Sequence, residues 1–378
     1  MKSDFRLFCL FAGVMFLGAC SSLNPFSASR PEPAPLADIK SDIKTEKVWS
    51  FNVGSAGKYV FQPVAIGDVV FAAAANGEIV RLENGRAVWR VRADKKLSAG
   101  VGSDGRLVVV VAEDGTLIAI DAITGDERWN TALEQEVLSP PSVSTDIVVV
   151  RTSDHRLIAV DPEDGARRWM YQRNNPSLGL RSHTGVLVEG GAVLAGFPGG
   201  KLVALEASKG TTVWELTVAL PRGATELERI TDVTGTPVLG QREICAVAFQ
   251  GRAACFDLTN GNSLWTRDIS SSVGMDRDAR LAVITDAADA VVALDANNGS
   301  SAWKQDGLGH RLVSRPLLVA DYVVVGDYAG YLHVLSSSDG DFISRARIGG
   351  AVRSDIIHFG DGFVVQSVNG EVAAFEIR

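Results

Sequence analysis

The chain has 378 residues, of which 46% are hydrophobic and 22% are charged, and both values are ordinary for a globular protein. Its formal net charge of -8 argues against a nucleic-acid partner, because a surface that binds a phosphate backbone is basic. A chain of this length would normally divide into two or three domains, but all-β rings often exceed that size as one domain.

The N-terminus has the organisation of an export signal. Lys2 and Arg6 give a basic start, and the apolar run from Leu7 to Leu17 is too short for a stable membrane span. The run ends in Leu17-Gly18-Ala19-Cys20, which resembles the lipobox of bacterial lipoproteins. The resemblance implies that residues 1–19 are a signal peptide and that the Cys20 thiol accepts lipid. An ordinary export signal followed by a chance cysteine is the alternative.

Residues 20–45 have the composition of a flexible tether. Two stretches, at 21–25 and 30–35, are rich in serine and proline, which favour extended chain and offer no core to bury. Acyl chains on Cys20 would hold the protein at a membrane without spanning it. Ser21 stands where an aspartate would retain such a lipoprotein at the inner membrane. The resemblance therefore implies the outer membrane, with the folded body facing the periplasm.

A repeat of about forty residues organises the rest of the chain. The seven tryptophans lie 40, 40, 40, 45, 51 and 38 residues apart. They are Trp49, Trp89, Trp129, Trp169, Trp214, Trp265 and Trp303. The sequence before most of them also recurs, as in residues 114–129, where an Asp-Gly pair, an apolar run and a Thr-Gly pair precede the tryptophan. Every tryptophan thus belongs to one period, which indicates a repeat architecture.

One copy of the repeat predicts four antiparallel strands. Residues 107–111 form a buried strand, and Asp114-Gly115 makes a tight hairpin turn. Residues 117–120 return as the next strand, and the strand with Trp129 follows a second turn that closes at Gly125. A further strand near residues 97–101 completes one propeller blade. The tryptophan ring, at one place in each blade, is expected to pack between neighbouring blades.

The two chain ends carry complementary fragments of this repeat. After Trp303 come two further copies, of which one has Ser344 in the tryptophan position and the other stops at Arg378 without its last strand. The strand around Trp49 has no hairpin before it. We therefore predict an all-β fold, an eight-bladed β-propeller over residues 46–378, in which the N-terminal strand completes the last blade. An open solenoid and two four-bladed halves are the alternatives.

Two of the four cysteines fall in the predicted propeller. Cys245 and Cys255 flank Gln250-Gly251, a candidate hairpin turn, in a compartment that the export signal predicts to be oxidising. They form either a cross-strand disulfide or two buried thiols that pack as small hydrophobic residues.

The repeat resembles that of the PQQ-dependent quinoprotein dehydrogenases, which are eight-bladed and periplasmic. Those enzymes usually have an adjacent cysteine pair against the cofactor, a Ca²⁺ ion held by acidic and Asn ligands, and a catalytic aspartate. Here no two cysteines are adjacent, the five histidines are scattered, and no carboxylate cluster indicates a Ca²⁺ site. The shared repeat therefore predicts the fold rather than the chemistry, and we predict no cofactor, no metal and no catalytic residue. A PQQ-dependent dehydrogenase stays as the alternative function.

The lipobox, the tether and eight repeats in a chain of this length are more similar to the BamB family, the propeller lipoproteins of the β-barrel assembly machinery. Two segments outside the repeat, residues 175–181 and 223–233, make this resemblance specific. In that family the two loops lie near each other and are implicated in binding BamA through its periplasmic POTRA domains. The resemblance implies a partner surface formed by Leu178, Leu180, Arg181, Glu226, Arg229 and Asp232.

This chain departs from the family pattern at one position of the second segment. A second acidic residue is expected two places after Asp232, and Thr234 stands there instead, which weakens any role for paired negative charge. Exposed leucines at 178 and 180 beside Arg181 would suit a protein interface. Both leucines could instead tuck back onto the propeller, and the charged residues of the second segment could be merely solvated.

These observations predict a non-enzymatic scaffold lipoprotein that binds BamA and, through it, the other lipoproteins of the complex. Unfolded outer-membrane proteins could add as strands to exposed blade edges. A third hypothesis is that the protein binds glycan or peptidoglycan. It would need aromatic residues lining one face, and the repeat already accounts for most of the aromatic residues.

Overall fold

The computed structural model describes residues 31–181 and 183–378, so the predicted signal peptide, Cys20 and the start of the tether lie outside the described residues. The chain divides into two units, residues 1–33 and 34–378. The described part of the first unit, residues 31–33, has no regular secondary structure. A search of the described residues finds no helix long and apolar enough to cross a membrane.

All regular elements of the described residues are strands, and they form eight four-stranded antiparallel sheets. Blade 1 contains β2 (Val64–Ile66), β3 (Val69–Ala73), β4 (Glu78–Glu83) and β5 (Arg86–Arg92). Blade 2 contains β6 (Leu97–Ser103), β7 (Leu107–Ala112), β8 (Thr116–Asp121) and β9 (Glu127–Ala132). Blade 3 contains β10 (Ser142–Val143), β11 (Val148–Arg151), β12 (Leu157–Val160) and β13 (Arg167–Tyr171). Blade 4 contains β14 (Val186–Glu189), β15 (Ala192–Phe197), β16 (Lys201–Glu206) and β17 (Thr212–Thr217).

The remaining strands form the second half of the ring. Blade 5 contains β18 (Val233–Leu239), β19 (Glu243–Ala248), β20 (Ala253–Asp257) and β21 (Ser263–Arg267). Blade 6 contains β22 (Met275–Arg277), β23 (Leu281–Thr285), β24 (Val291–Asp295) and β25 (Ser301–Gln305). Blade 7 contains β26 (Leu317–Val319), β27 (Tyr322–Gly326), β28 (Tyr331–Ser336) and β29 (Phe342–Arg347). Blade 8 contains β30 (Ile357–Phe359), β31 (Gly362–Gln366) and β32 (Glu371–Ile377), completed by β1 (Thr45–Asn52).

The hydrophobic core lies between neighbouring blades. Phe71 and Ile79 of blade 1, for example, share one buried cluster with Val108 and Val110 of blade 2. The middle strands are therefore covered on both faces, which is why β7 is an unbroken apolar run with every residue buried.

Five tryptophans each bind the following blade through a hydrogen bond, which agrees with the predicted packing between blades. The indole Nε1 of Trp129 in blade 2 donates a hydrogen bond of 2.8 Å to the Pro162 carbonyl of blade 3. The same contact links Trp89 with Ala122, Trp169 with Ala207, Trp265 with Ala296 and Trp303 with Ser337. Gly165 lies under the Trp129 ring with φ of 72°, and a Cβ there would come within 2.5 Å of an indole carbon. Glycine therefore recurs in this turn because it adopts the conformation and leaves room for the ring.

The N-terminal strand closes the ring, as predicted. β1 pairs antiparallel with β32, from Thr45 opposite Ile377 to Asn52 opposite Glu371. Because β1 supplies the outermost strand, blade 8 has no turn between its third and fourth strands. The preceding blade has Ser344 in the tryptophan position, where a tryptophan would have no turn to pack against.

Cys245 and Cys255 form a disulfide in blade 5. They face each other across β19 and β20 with a Cα–Cα distance of 4.1 Å, and neither side chain is exposed. Of the two alternatives that the sequence leaves open, the structure has the cross-strand disulfide.

The end of the predicted flexible tether differs from expectation. The Ala34 amide donates to the Gly309 carbonyl at 2.8 Å. The Ala34 carbonyl accepts from Arg311 Nη1 at 2.9 Å, and the Ala37 carbonyl accepts from Arg345 Nη2 at 3.1 Å. Residues 34–37 are therefore attached to the propeller unit, because two arginine side chains bind their backbone carbonyls.

Candidate functional site

Two long connections form the candidate surface. Residues 172–181, here the 172–181 loop, follow β13 at the edge of blade 3 and lead towards blade 4. Residues 218–232, here the 218–232 loop, connect β17 of blade 4 with β18 of blade 5. Both run from an outermost strand to the innermost strand of the next blade, so they emerge on the same face of the ring at consecutive blades. The structure thus brings together the two segments that the sequence singles out.

The two leucines of the 172–181 loop differ in exposure. The side chain of Leu178 is 42% exposed, whereas Leu180 is partly buried. Arg181 is exposed and forms an ion pair with Glu136, which lies in the connection between blades 2 and 3. The loop therefore presents Leu178 and the Arg181–Glu136 pair to solvent. The sequence contained no signal for Glu136, because it lies outside the repeat and 45 residues from its partner.

Asp232 lies beneath the surface, which corrects the expectation that it is exposed or merely solvated. Its relative exposure is 4%. Its Oδ2 atom accepts a hydrogen bond of 2.5 Å from the backbone amide of Leu180, and the Gly199 amide also bonds to it. Gly179 allows this close approach, since a Cβ there would lie 3.1 Å from the same oxygen. Asp232 therefore holds the 172–181 loop against blade 4.

Two basic side chains, the buried Arg151 and the partly buried His155, lie close to Asp232. Burial lowers the pKa of Arg151 to about 10, and the guanidinium donates to the Gly196 carbonyl at 2.5 Å. Burial, assisted by the charge of Arg151, lowers the pKa of His155 to about 4. Burial raises the pKa of Asp232, an effect that the Leu180 and Gly199 amides and the Arg151 charge oppose. The negative charge under the loop thus has a fixed positive counterpart nearby.

The 218–232 loop contains a turn that is held mainly by its own residues. Glu228 Oε2 accepts hydrogen bonds from the Ala224 and Thr225 amides at 2.8 and 3.0 Å, and Thr225 Oγ1 accepts from the Glu228 amide at 3.2 Å. These reciprocal bonds form a capping box. They also lower the pKa of Glu228, because backbone N–H groups stabilise its charged form. Arg229 Nε adds a bond to the Gly223 carbonyl at 3.1 Å.

The exposed side chains of this turn include both predicted residues and leucines that the prediction omitted. Glu226 and Arg229 form a solvent-exposed ion pair with an N–O distance of 3.7 Å. Leu227 is 67% exposed and Leu220 is 57% exposed. With Leu178 they give three exposed leucines on two neighbouring loops. Their apolar character among Pro, Gly and charged residues was the signal that could have identified Leu220 and Leu227.

Thr234, in the place of the family's second acidic residue, is buried. Its Oγ1 atom donates to the Ser271 carbonyl at 2.8 Å, so the hydroxyl joins β18 to the connection that precedes blade 6. This position therefore contributes a neutral structural contact rather than surface charge.

The innermost strands surround a central cavity of about 890 Å³, and Leu180, Arg181 and His183 form part of its wall. Its charged groups are partly paired, with Arg315 3.0 Å from Asp355 and 3.7 Å from Asp276. Within the described ranges, no group of three or more His, Cys, Asp or Glu residues has the arrangement of a metal site.

Comparison with known proteins gives consistent matches over most of the chain. A family model described as "Outer membrane protein assembly factor BamB" matches residues 75–305. The protein of that name from Bordetella pertussis is 40% identical over 364 residues, which cover 95% of this chain and 94% of the relative.

Solved structures show the same architecture. The crystal structure of BamB from Moraxella catarrhalis has a TM-score of 0.83 and 28% identity, covering 88% of this chain and 99% of that one. Quinohemoprotein alcohol dehydrogenase from Comamonas testosteroni has a TM-score of 0.71 at 15% identity, covering 88% of this chain and 76% of that one. The second likeness concerns the fold alone.

Proposed function

This chain belongs to the BamB family, whose members are named outer membrane protein assembly factors, and we propose that it is a non-enzymatic scaffold for the assembly of outer-membrane β-barrel proteins. It acts within the assembly complex by protein–protein contact, at the outer membrane. The described residues support this view of a scaffold, since their long loops present exposed leucines.

The partner surface is formed by the 172–181 and 218–232 loops, and its partner is BamA through the POTRA domains. The observation that carries this proposal is that the two loops expose three apolar side chains, Leu178, Leu220 and Leu227, and that the first loop also exposes Arg181. Apolar contacts flanked by an arginine are typical of interface centres. Because Asp232 fixes the 172–181 loop in advance, little conformational freedom is lost on binding.

The two loops contribute differently to this surface. Leu178 and Arg181 contact the partner, and Leu180 contributes its exposed part. Asp232 acts indirectly, by holding the Leu180 backbone, whereas Glu226 and Arg229 lie at the rim, where exposed charges add little affinity.

The N-terminal region anchors the protein. In this proposal residues 1–19 are removed, Cys20 carries lipid, and residues from Cys20 to the start of β1 link the lipid to the propeller over residues 46–378. The sequence Leu17-Gly18-Ala19-Cys20 followed by Ser21 supports a lipid anchor at the outer membrane, with the propeller in the periplasm. Unfolded β-barrel clients bind at exposed outer strands by strand addition.

A binding assay with the periplasmic region of BamA tests the surface. The full chain carrying Leu178→Glu and Arg181→Glu should bind about ten-fold more weakly or worse. The first change replaces an apolar side chain with a charged one, and the second reverses a charge. The matched control carries Ile123→Glu and Arg86→Glu, which make the same two changes on the opposite face of the ring. The control should bind as the unmodified chain does.

The outcomes separate the role from the site. Equal binding by all three proteins would show that the loops are assigned wrongly. A failure of the unmodified, lipidated protein to bind BamA or to co-purify with it from the envelope would refute the scaffold role itself.

A further inference from the structure

Blade 7 and the connection that precedes it bind residues 34–37 of the N-terminal arm through their backbone. Arg311 and Arg345 donate to the carbonyls of Ala34 and Ala37, and the Gly309 carbonyl accepts from the Ala34 amide. Pro35 lies between the two bound carbonyls. Since all three hydrogen bonds involve main-chain atoms of the arm, this contact recognises a backbone conformation rather than a set of side chains.

Arg311 is held by side chains of blade 7 as well as by the arm. It is 6% exposed, and its Nε donates to Asp327 at 2.7 Å, a carboxylate with no exposed surface. The guanidinium lies 5.8 and 5.7 Å from the ring centres of Tyr328 and Tyr331. The propeller therefore holds one guanidinium group in place, with its Nη1 atom directed towards the arm.

The same buried cluster orients Arg345. His333, which has no exposed surface, lies 3.1 Å from Asp327 through Nε2, and its Nδ1 lies 3.3 Å from Arg345 Nε. Arg345 Nη2 is thereby left to donate to the Ala37 carbonyl. Asp327 and His333 thus connect the two arginines into a single receptor.

The spacing of the bound carbonyls matches a polyproline helix. That helix has three residues per turn, so the carbonyls of residues i and i+3 point in the same direction. Ala34 and Ala37 have this separation, and the proline between them restricts the chain to extended conformations.

We propose that the side of blade 7 formed by Arg311, Arg345 and the Asp327–His333 pair is a docking site for an extended proline-containing segment, and that residues 34–37 of this chain are its occupant. The arm then leaves the propeller at blade 7 rather than at Thr45, where β1 begins. This shortens the free tether by eleven residues, or up to about 35 Å of extended chain. The inference is independent of the BamA surface.

Distance measurement between two spin labels tests the docking in the full chain. One label replaces Ala37, an exposed side chain of the docked segment whose contact is made by its backbone carbonyl, and the other replaces Asp146, an exposed residue of blade 3. A docked arm gives a single narrow distance distribution. Arg345→Ala removes the donor to Ala37 and should roughly double the width, because the arm becomes a flexible chain.

Two further variants control for damage to the propeller. Lys304→Ala removes a charge at the corresponding position of blade 6, where the side chain pairs with Asp286, and should leave the distribution narrow. Ala34→Pro removes only the amide that donates to Gly309, so any broadening it causes cannot come from an altered blade.

A broad distribution in the otherwise unmodified chain would overturn the proposal. So would a narrow distribution in a folded Arg345→Ala protein. If Arg345→Ala does not fold, the Ala34→Pro variant decides: a broadened distribution supports docking, and an unchanged one contradicts it.

Discussion

The two loops of the candidate surface are held in different ways. The 172–181 loop depends on the propeller, because its Leu180 amide is bound by Asp232, a buried carboxylate beside the buried Arg151. The turn at residues 223–229 is held mainly by bonds among its own residues, chiefly those of Thr225 and Glu228. Asp232 is the last residue of the second loop, but it holds the backbone of the first. Proximity along the chain therefore does not show which part of a surface a residue supports.

Asp232→Ala is expected to have the largest effect, because it removes the contact that holds the 172–181 loop. The change removes the acceptor of the Leu180 and Gly199 amides and leaves the Arg151 charge without its nearby opposite. We expect the free energy of unfolding, measured with urea, to fall by about 2–4 kcal/mol, and the affinity for BamA to fall with it. Asp232→Asn keeps an acceptor and should lose less than half as much. Unchanged stability in the alanine variant would refute the anchoring role.

The cluster under the 172–181 loop should also give this region its own pH dependence. The pKa of His155 is about 4 in the folded protein against 6.5 ordinarily, so between these values the unfolded chain binds more protons. Stability is therefore complete above pH 6.5 and falls as the pH drops towards 4, by about 2 kcal/mol from this group after allowing for partial exposure. His155→Asn should flatten that decline, measured by unfolding at pH 7 and pH 4.5. Asparagine suits the φ of 66° at this position.

Asp232 should act in the opposite direction over part of the same range. Its folded pKa is raised, so the folded protein binds more protons between the ordinary value of 3.8 and the raised one. This carboxyl therefore favours folding as the pH falls, and Asp232→Asn should steepen the acid decline. Equal pH slopes in Asp232→Asn and the unmodified protein would contradict the raised pKa.

The smallest effects are expected in the turn at residues 223–229. Glu226→Ala breaks only the exposed 3.7 Å ion pair with Arg229, and such pairs contribute little in water. Unfolding free energy should change by less than about 0.5 kcal/mol, and affinity for BamA by less than about three-fold. A ten-fold loss of affinity with unchanged stability would show that this ion pair lies at the centre of the surface and not at its rim.

The sequence was sufficient for the fold because the contacts between blades repeat. Each tryptophan that binds the following blade lies at a fixed distance from a turn glycine, so the period, the number of blades and the closure can all be counted. The serine at position 344, where other blades have tryptophan, is also explained, because blade 8 lacks the turn against which a tryptophan would pack.

The details of the site were less predictable because they depend on contacts that occur once. The prediction of an exposed Leu178 is met, but Asp232 was expected at the surface and is buried. Its burial depends on Arg151 and His155, which lie about eighty residues earlier in a different blade. Likewise, proline content predicted a free tether, whereas two arginines more than 270 residues later bind residues 34–37. Local sequence patterns do not predict such contacts between residues that lie far apart in the chain.

Closure by β1 has a consequence for the order in which the chain can fold. Thr45 pairs with Ile377, so the last blade cannot form until the C-terminal strand is available, however early the N-terminal strand appears. Pairings so distant in sequence slow folding, and until they form, β1 and the edge of β32 stay open to other strands. A chain cut short before β32 would leave β1 and β31 without the strand that both pair with. Ring closure therefore makes the final burial step conditional on a full-length chain.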